Sequence, residues 1–325
     1  MKTKTERVEL VRRTIEKFKH LPNRTIARYI LHHYGVMFDG DLEKIRSAIR
    51  YQVGQNGEDS KKRIGGKVIA KERCTIPPTW RIQRQVHTLP AGLWFIMPDT
   101  HVPFHEPKPI EAAVKYAQEQ GVAGILFNGD LQDCAAVSFW PSTSKRDFDK
   151  ETETMLDFLD FIEKEFPNRP KVWKPGNHEY RLPRYYGAKA PELIGMPLMA
   201  FDVVLGLEYR NIEMLQYKQI VMAGKLPILH GDEYKISTAV NPARGLFLKA
   251  QSWAACAHFH RTSEHTERRI DGTLLTTWSM GCLCDLSPDY NPYGAWNWGF
   301  MLVNVEKDGN FEVENRRILP NGKVV

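Results

Sequence analysis

Leu93-Trp-Phe-Ile-Met-Pro-Asp-Thr-His-Val-Pro-Phe-His105 is the stretch that decides the fold. A short apolar run bounded by turn residues is the size of a buried strand, and this one ends on Asp99 and His101, two side chains that bind cations. The pattern then recurs. Ala123-Gly-Ile-Leu-Phe127 runs into Asn128-Gly-Asp-Leu-Gln-Asp133, and Lys171-Val-Trp-Lys174 runs into Pro175-Gly-Asn-His-Glu179. Leu226-Pro-Ile-Leu229 leads to His230-Gly-Asp232, and Ser252-Trp-Ala-Ala-Cys-Ala257 leads to His258-Phe-His260. Between the first three runs the periodicity predicts helices over 109–120, with Ile110, Ala113, Val114 and Ala117 inward, and over 149–166, with Met155, Leu159, Ile162 and Phe166 inward. Strand, polar loop and helix in repetition predict an α/β sheet with its ligands at the carboxyl ends of the strands. Phe300–Val305 and Phe311–Val313, around Lys307-Asp-Gly309, predict a closing hairpin.

A single histidine at a strand end is ordinarily a hydrogen-bonded structural residue. Five apolar runs ending in sequence on Asp, Asn or His are a different matter, because the joint pattern is far rarer than any one piece. The order D-x-H, G-D-x-x-D, G-N-H, H and H-x-H resembles the calcineurin-like metallophosphoesterases over roughly residues 90–305. Asp99-Thr-His-Val-Pro-Phe-His105 and Gly176-Asn-His-Glu-Tyr-Arg-Leu-Pro-Arg184 are most similar to metallophosphoesterases carried by bacteriophages and prophages. One departure is Ala257, where the family usually has glycine; alanine fits if φ there stays negative.

The resemblance implies a four-layer αββα sandwich and a site for two divalent ions. Asp99, His101, Asp130 and His260 match the ligands of the first ion, and Asp130, Asn177, His230 and His258 those of the second, with Asp130 shared. His178 matches the residue that contacts phosphate and assists the leaving group, so His178 and Asp130 carry the expected catalytic roles. Ions roughly 3.5–4 Å apart would turn a bridging water into a hydroxide near neutral pH, the expected nucleophile. A ligand set of carboxylate, imidazole and amide oxygen suits Mn²⁺, with Fe, Zn²⁺ or Ni²⁺ as other occupants. Asp133 would orient a ligand imidazole or else cap a helix. Arg181 and Arg184 would grip phosphate or else pair with Glu179 or Glu192, and His105 would line the cleft. Tyr290, Tyr293, Trp296 and Trp298 lie in a turn-rich segment, where they either pack the turn or stack on bases. Cys282 and Cys284 read as buried strand residues rather than half of a zinc knuckle.

The charge of the chain is split. Residues 1–85 hold 20 Lys and Arg against 9 Asp and Glu, whereas the rest holds 25 against 30. Helices are expected near 6–19, 24–34 and 41–53, the second stopped by Gly35, with Lys44, Arg46 and Arg50 outward on the third. That gives a basic helix-turn-helix-like domain over 1–55, a basic linker over 56–88 and a phosphoesterase domain over 89–325. Nucleic acid, met through residues 1–85, is the expected partner. The first functional reading is therefore a phosphodiesterase or nuclease acting on DNA or RNA. A phosphomonoesterase comes second, since its protein phosphatases follow G-D-x-x-D with arginine and this chain has Cys134. A non-catalytic nucleic-acid-binding protein on the same frame comes third. The five cysteines are odd in number and scattered, no apolar leader opens the chain, and no apolar run approaches membrane length. A cytoplasmic protein, in a bacterium or a phage-infected cell, is the expectation.

Overall fold

The computed structural model describes residues 4–54, 76–79, 85–140, 146–236 and 240–325. The chain forms two compact units, Met1–Trp80 and Arg81–Val325. Most of the expected linker lies outside the described residues, while His87 and Thr88, assigned to it by sequence, begin the first strand of the second unit.

In the first unit, α1 (Lys4–Lys17), α2 (Asn23–Tyr34) and α3 (Leu42–Val53) enclose a small core of Val11, Ile26, Ala27, Ile30, Phe38, Ile45 and Ile49. The Asp41 carboxylate accepts from the backbone N–H groups of Glu43 and Lys44 and caps α3. Gly35 does not end α2 in the left-handed region. Its φ is −55°, the chain tightens into a 3₁₀ turn over Gly35–Phe38, and the left-handed residues are Asp39 and Gly40. The tighter turn carries Phe38 into the core.

The second unit is built on two six-stranded sheets. In chain order its elements are β1 (His87–Leu89), β2 (Gly92–Met97), α4 (Pro107–Glu119), β3 (Gly124–Asn128), α5 (Phe148–Glu165), β4 (Lys171–Lys174), α6 (Arg181–Lys189), α7 (Phe201–Val204) and β5 (Ile212–Met214). There follow β6 (Val221–Ala223), β7 (Leu226–Leu229), α8 (Pro242–Ala250), β8 (Ala254–Cys256), β9 (Ser263–Arg268), β10 (Leu274–Ser279), β11 (Gly299–Val305) and β12 (Phe311–Arg317). One sheet runs β12-β11-β2-β3-β4-β5 and the other β1-β6-β7-β8-β10-β9.

Alternation along the strands makes the layers. Phe95, Met97, Ile125 and Phe127 face α4 and α5, whereas Trp94, Ile96 and Leu126 meet Val221, Ile228 and Ala255 of the second sheet. On the far side Leu229, Ala254 and Cys256 pack against Leu246 of α8. Helix, sheet, sheet, helix is the four-layer αββα arrangement. Strands buried on both faces read as unbroken apolar runs, which is why these segments were visible in the sequence. Register then sets the site. Met97 lies opposite Phe127, Asn128 opposite Lys174, and Leu229 opposite Cys256, so within each sheet the polar turns after these strands begin side by side.

Candidate metal centre

The turns that leave these strands are forced into unusual backbone shapes. Asp99, His101, Asp130, His258 and His260 all have φ between 38° and 68°, a region that costs non-glycine residues on the order of 1–3 kcal/mol each. Neighbouring loops hold them there. His101 N–H donates to Asp130 O at 2.8 Å, Ala257 N–H to His230 O at 2.7 Å, and His258 N–H to the Asp99 carboxylate at 2.9 Å. Ala257 itself is not among the residues of positive φ, so the alanine fits its turn without strain. Gly176 has no alternative, because a Cβ there would sit 2.3 Å from Asp130 Oδ1 and 2.8 Å from His230 Nε2.

Seven side chains expected from sequence meet at this point. His101 Nε2 and His260 Nε2 are 3.2 Å apart, and His260 Nε2 is 3.4 Å from Asp99 Oδ1. Asp130 Oδ2 lies 3.2 Å from His230 Nε2 and 3.8 Å from His101 Nε2. Asn177 Oδ1 is 3.2 Å from His230 Nε2, and the donor atoms of Asp130, His230 and His258 fall within 4.8 Å of one another. Two ring nitrogens aimed at each other across 3.2 Å need a proton or a cation at that point. Two carboxylates, an amide oxygen and four imidazoles, both carboxylates and three of the imidazoles buried, fit divalent cations. Burial works against charge here, yet Asp130 raises the proton affinity of His230 well above the ordinary value, and Asp99 raises that of His260 to about 10. Negative charge dominates the pocket, and positive charge is what it is built to receive.

The surrounding groups fix orientation. Asp133 Oδ2 accepts from His101 Nδ1 at 2.9 Å and from His178 Nδ1 at 3.0 Å, while Arg181 Nη1 donates to Asp133 Oδ1 at 2.9 Å. Burial alone would raise the Asp133 carboxyl, but these two imidazoles hold it far below the usual range. Asp133 is thus no helix cap; Cys134 precedes the short 3₁₀ turn that follows. Arg181 pairs with neither Glu179 nor Glu192, and its Nη2 donates to His178 Nε2 at 2.9 Å. His178 Nε2 is 3.7 Å from Asp130 Oδ2. Burial depresses this imidazole, and the charges of Asp130 and Asp133 outweigh it and raise it.

Two candidates lie apart from the cluster. Arg184 is exposed, with its guanidinium 6.0 Å over the ring of Phe139. His105 packs edge-on against Phe158 of α5.

Sequence reading missed three supports. Glu179 is 2% exposed and accepts four backbone N–H bonds, from Asp130 and Gly176 on one oxygen and from Leu131 and Gln132 on the other, at 2.7–3.0 Å. That carboxylate ties the two turns together, and nothing in Gly-Asn-His-Glu separates it from a surface glutamate. Lys174 is fully buried, donating to Glu233 Oε1 at 2.6 Å and to Gln219 O at 2.8 Å. Cys284 is buried at an isolated bridge rather than in a strand, with Sγ 3.9 Å from His260 Nδ1. The odd spacing of Cys282 and Cys284 just after β10 was the available signal.

No family model matches the chain, and no curated protein sequence matches it. Among solved structures it is similar to vacuolar protein sorting 29 from Cryptosporidium parvum, at 11% identity over 70% of this chain and 99% of that one, TM-score 0.34. It is also similar to Vps29 from Chaetomium thermophilum, at 13% identity over 72% and 95%, TM-score 0.36. Yfce, a phosphoesterase from E. coli, aligns at 11% identity over 68% and 98%, TM-score 0.31. Likenesses at this level carry no argument about chemistry, which has to come from the side chains. Among the described residues, no helix is long and apolar enough to cross a membrane.

Proposed function

We propose that this chain is a dinuclear-metal-dependent phosphoesterase that cleaves phosphodiesters of nucleic acid. One observation carries the reading: five strand ends from two sheets bring Asp99, His101, Asp130, Asn177, His230, His258 and His260 into one buried cluster beside His178. Asp99, His101, Asp130 and His260 would hold one divalent ion, and Asp130, Asn177, His230 and His258 the other, Mn²⁺ being the first choice. Such a pair supplies charge against phosphoryl oxygens and lowers the pKa of a bound water.

The chain's own residues do the rest. Asp133 accepts a hydrogen bond from His178 Nδ1, and Nε2 would meet a leaving oxygen once Arg181, its donor here, shifts to a phosphate oxygen. Arg181 sets its guanidinium beside that nitrogen, where it would neutralise a phosphate oxygen. Glu179 keeps the Asp130 and Gly176 turns in step. Support for a nucleic-acid substrate comes from the charge split of the chain and from the basic helical unit. Phosphomonoester hydrolysis remains the second reading, because Arg181 brings to His178 the guanidinium that Cys134 cannot supply.

The test compares bis(p-nitrophenyl) phosphate with p-nitrophenyl phosphate, using the full chain and Mn²⁺ with and without EDTA. Faster diester cleavage that EDTA abolishes is expected. Faster monoester cleavage moves the assignment to the second reading, and no metal-dependent cleavage of either ester rejects both.

A further inference from the structure

We infer that the centre works on single-stranded nucleic acid, gripping unpaired bases on aromatic side chains at both flanks of the metal cluster. The inference rests on the phosphoesterase reading for the identity of the central phosphate. Four large aromatics on two segments that lead to the cluster are mostly in solvent. Phe139 is 78% exposed, Trp140 71%, Tyr290 73% and Tyr293 97%. Exposed aromatics gathered at a site mark a binding surface rather than a core.

Ring contacts lead from Tyr290 into the site, and a second pair of rings adjoins the helix on its other side. Tyr290 lies 6.1 Å from Trp296, Trp296 lies 4.1 Å from His260, and His260 lies 5.0 Å from His101, centroid to centroid. His101 in turn lies 4.3 Å from His178, which Arg181 contacts. One helical turn further along α6 comes Arg184, over the ring of Phe139, which is 6.1 Å from Trp140. Aromatic side chains therefore stand on two segments beside a cluster that would hold a phosphate once cations occupy it.

The chemistry selects the occupant. A base presents a π-face to an aromatic side chain only when it is unstacked and unpaired, and such stacking tolerates any sequence. Duplex DNA offers phosphates to the outside and hides its faces, so it would satisfy the centre and leave the flanks unused. A strand with a phosphate at the cluster and bases on each side uses both. Arg184, held against Phe139, adds a cation beside the stacking plane.

The experiment measures binding of a fluorescein-labelled twelve-nucleotide thymidine strand and of a labelled duplex to the full chain. Ca²⁺ replaces the catalytic metal, and salt is held at about 0.3 M to weaken backbone electrostatics. The variants are Phe139→Ser with Trp140→Ser, Tyr290→Ser with Tyr293→Ser, and Trp140→Phe, which keeps a ring. Each serine pair should weaken single-strand binding by about 5- to 150-fold, the range for a lost base stack. Duplex binding should change less than about twofold, and Trp140→Phe should stay close to the parent. Unchanged single-strand affinity in both serine pairs, or a parent that prefers duplex, overturns the inference. Mn²⁺-dependent cleavage of methyl p-nitrophenyl phosphate by the same parent preparation reports separately on the phosphoesterase reading. A parent that cleaves this ester while the serine variants bind strand normally rejects the aromatic flanks alone.

Discussion

Replacing Glu179 by glutamine should unfold this protein far more easily than its exposed-looking position in the sequence suggests. The carboxylate is 2% exposed, and its two oxygens accept four backbone N–H groups from two turns, those of Asp130, Leu131 and Gln132 in one and that of Gly176 in the other. Glutamine keeps one accepting oxygen. In either orientation of the amide, two N–H donors then face an NH₂ group, Asp130 with Gly176 or Leu131 with Gln132. A buried donor without an acceptor costs about 1–3 kcal/mol, and a bond to a charged acceptor is worth about 1.5–3, so the loss is about 3–6 kcal/mol. For a unit spanning Arg81–Val325, that is a fall of roughly 6–24 °C in melting temperature. Thermal unfolding followed by near-ultraviolet circular dichroism measures it directly. A midpoint within about 2 °C of the parent would refute the role given to Glu179.

Four other outcomes follow from the same geometry. Gly176→Ala pushes a Cβ against Asp130 and His230, and calorimetric titration should find Mn²⁺ affinity reduced by about 10–100-fold. Lys174→Met leaves Glu233 buried without its cation, and urea unfolding should show a loss of about 3–5 kcal/mol. Glu151 is pushed up to about 7 by burial and by Asp133, against an ordinary 4.5. The folded state therefore binds an extra proton between those values, and stability should decline by about 3 kcal/mol as pH rises from about 4.5 to above 7; Glu151→Gln should flatten that decline in urea midpoints measured across pH. In the basic unit, Arg46 pairs with Glu43, and Arg50 lies 3.5 Å from the same residue. If these arginines exchange that partner for phosphates, changing both to alanine should lower the slope of log affinity against log salt for DNA by about 1–2.

The parts of the fold legible in the sequence are those buried on both faces. β2, β3, β7 and β11 are continuous apolar runs because helices or a second sheet cover each side, and α4 and α5 show clean apolar stripes. β9 was not visible: Ser263-Glu-His-Thr-Glu-Arg268 is an exposed edge with no apolar face to betray it. β1, β5 and β6 are three residues each, too short for any period. The metal cluster was legible because cation ligands are rare residue types at strand ends. Its supports were not, because Glu179 and Lys174 look like surface charges until distant backbone groups and side chains are brought to them. The aromatic residues of 290–298 divide in a way that composition could not give. Trp298 donates to Cys284 O and packs inward, Trp296 covers His260, and Tyr290 and Tyr293 stay in solvent.

Whether these strand ends hold a pair of cations is read out by anomalous diffraction from a crystal grown with Mn²⁺. Two peaks about 3.5–4 Å apart are expected, with Asp130 between them, Asp99, His101 and His260 on one, and Asn177, His230 and His258 on the other. Fully occupied Mn²⁺ at any other set of residues, with this cluster empty, would contradict it.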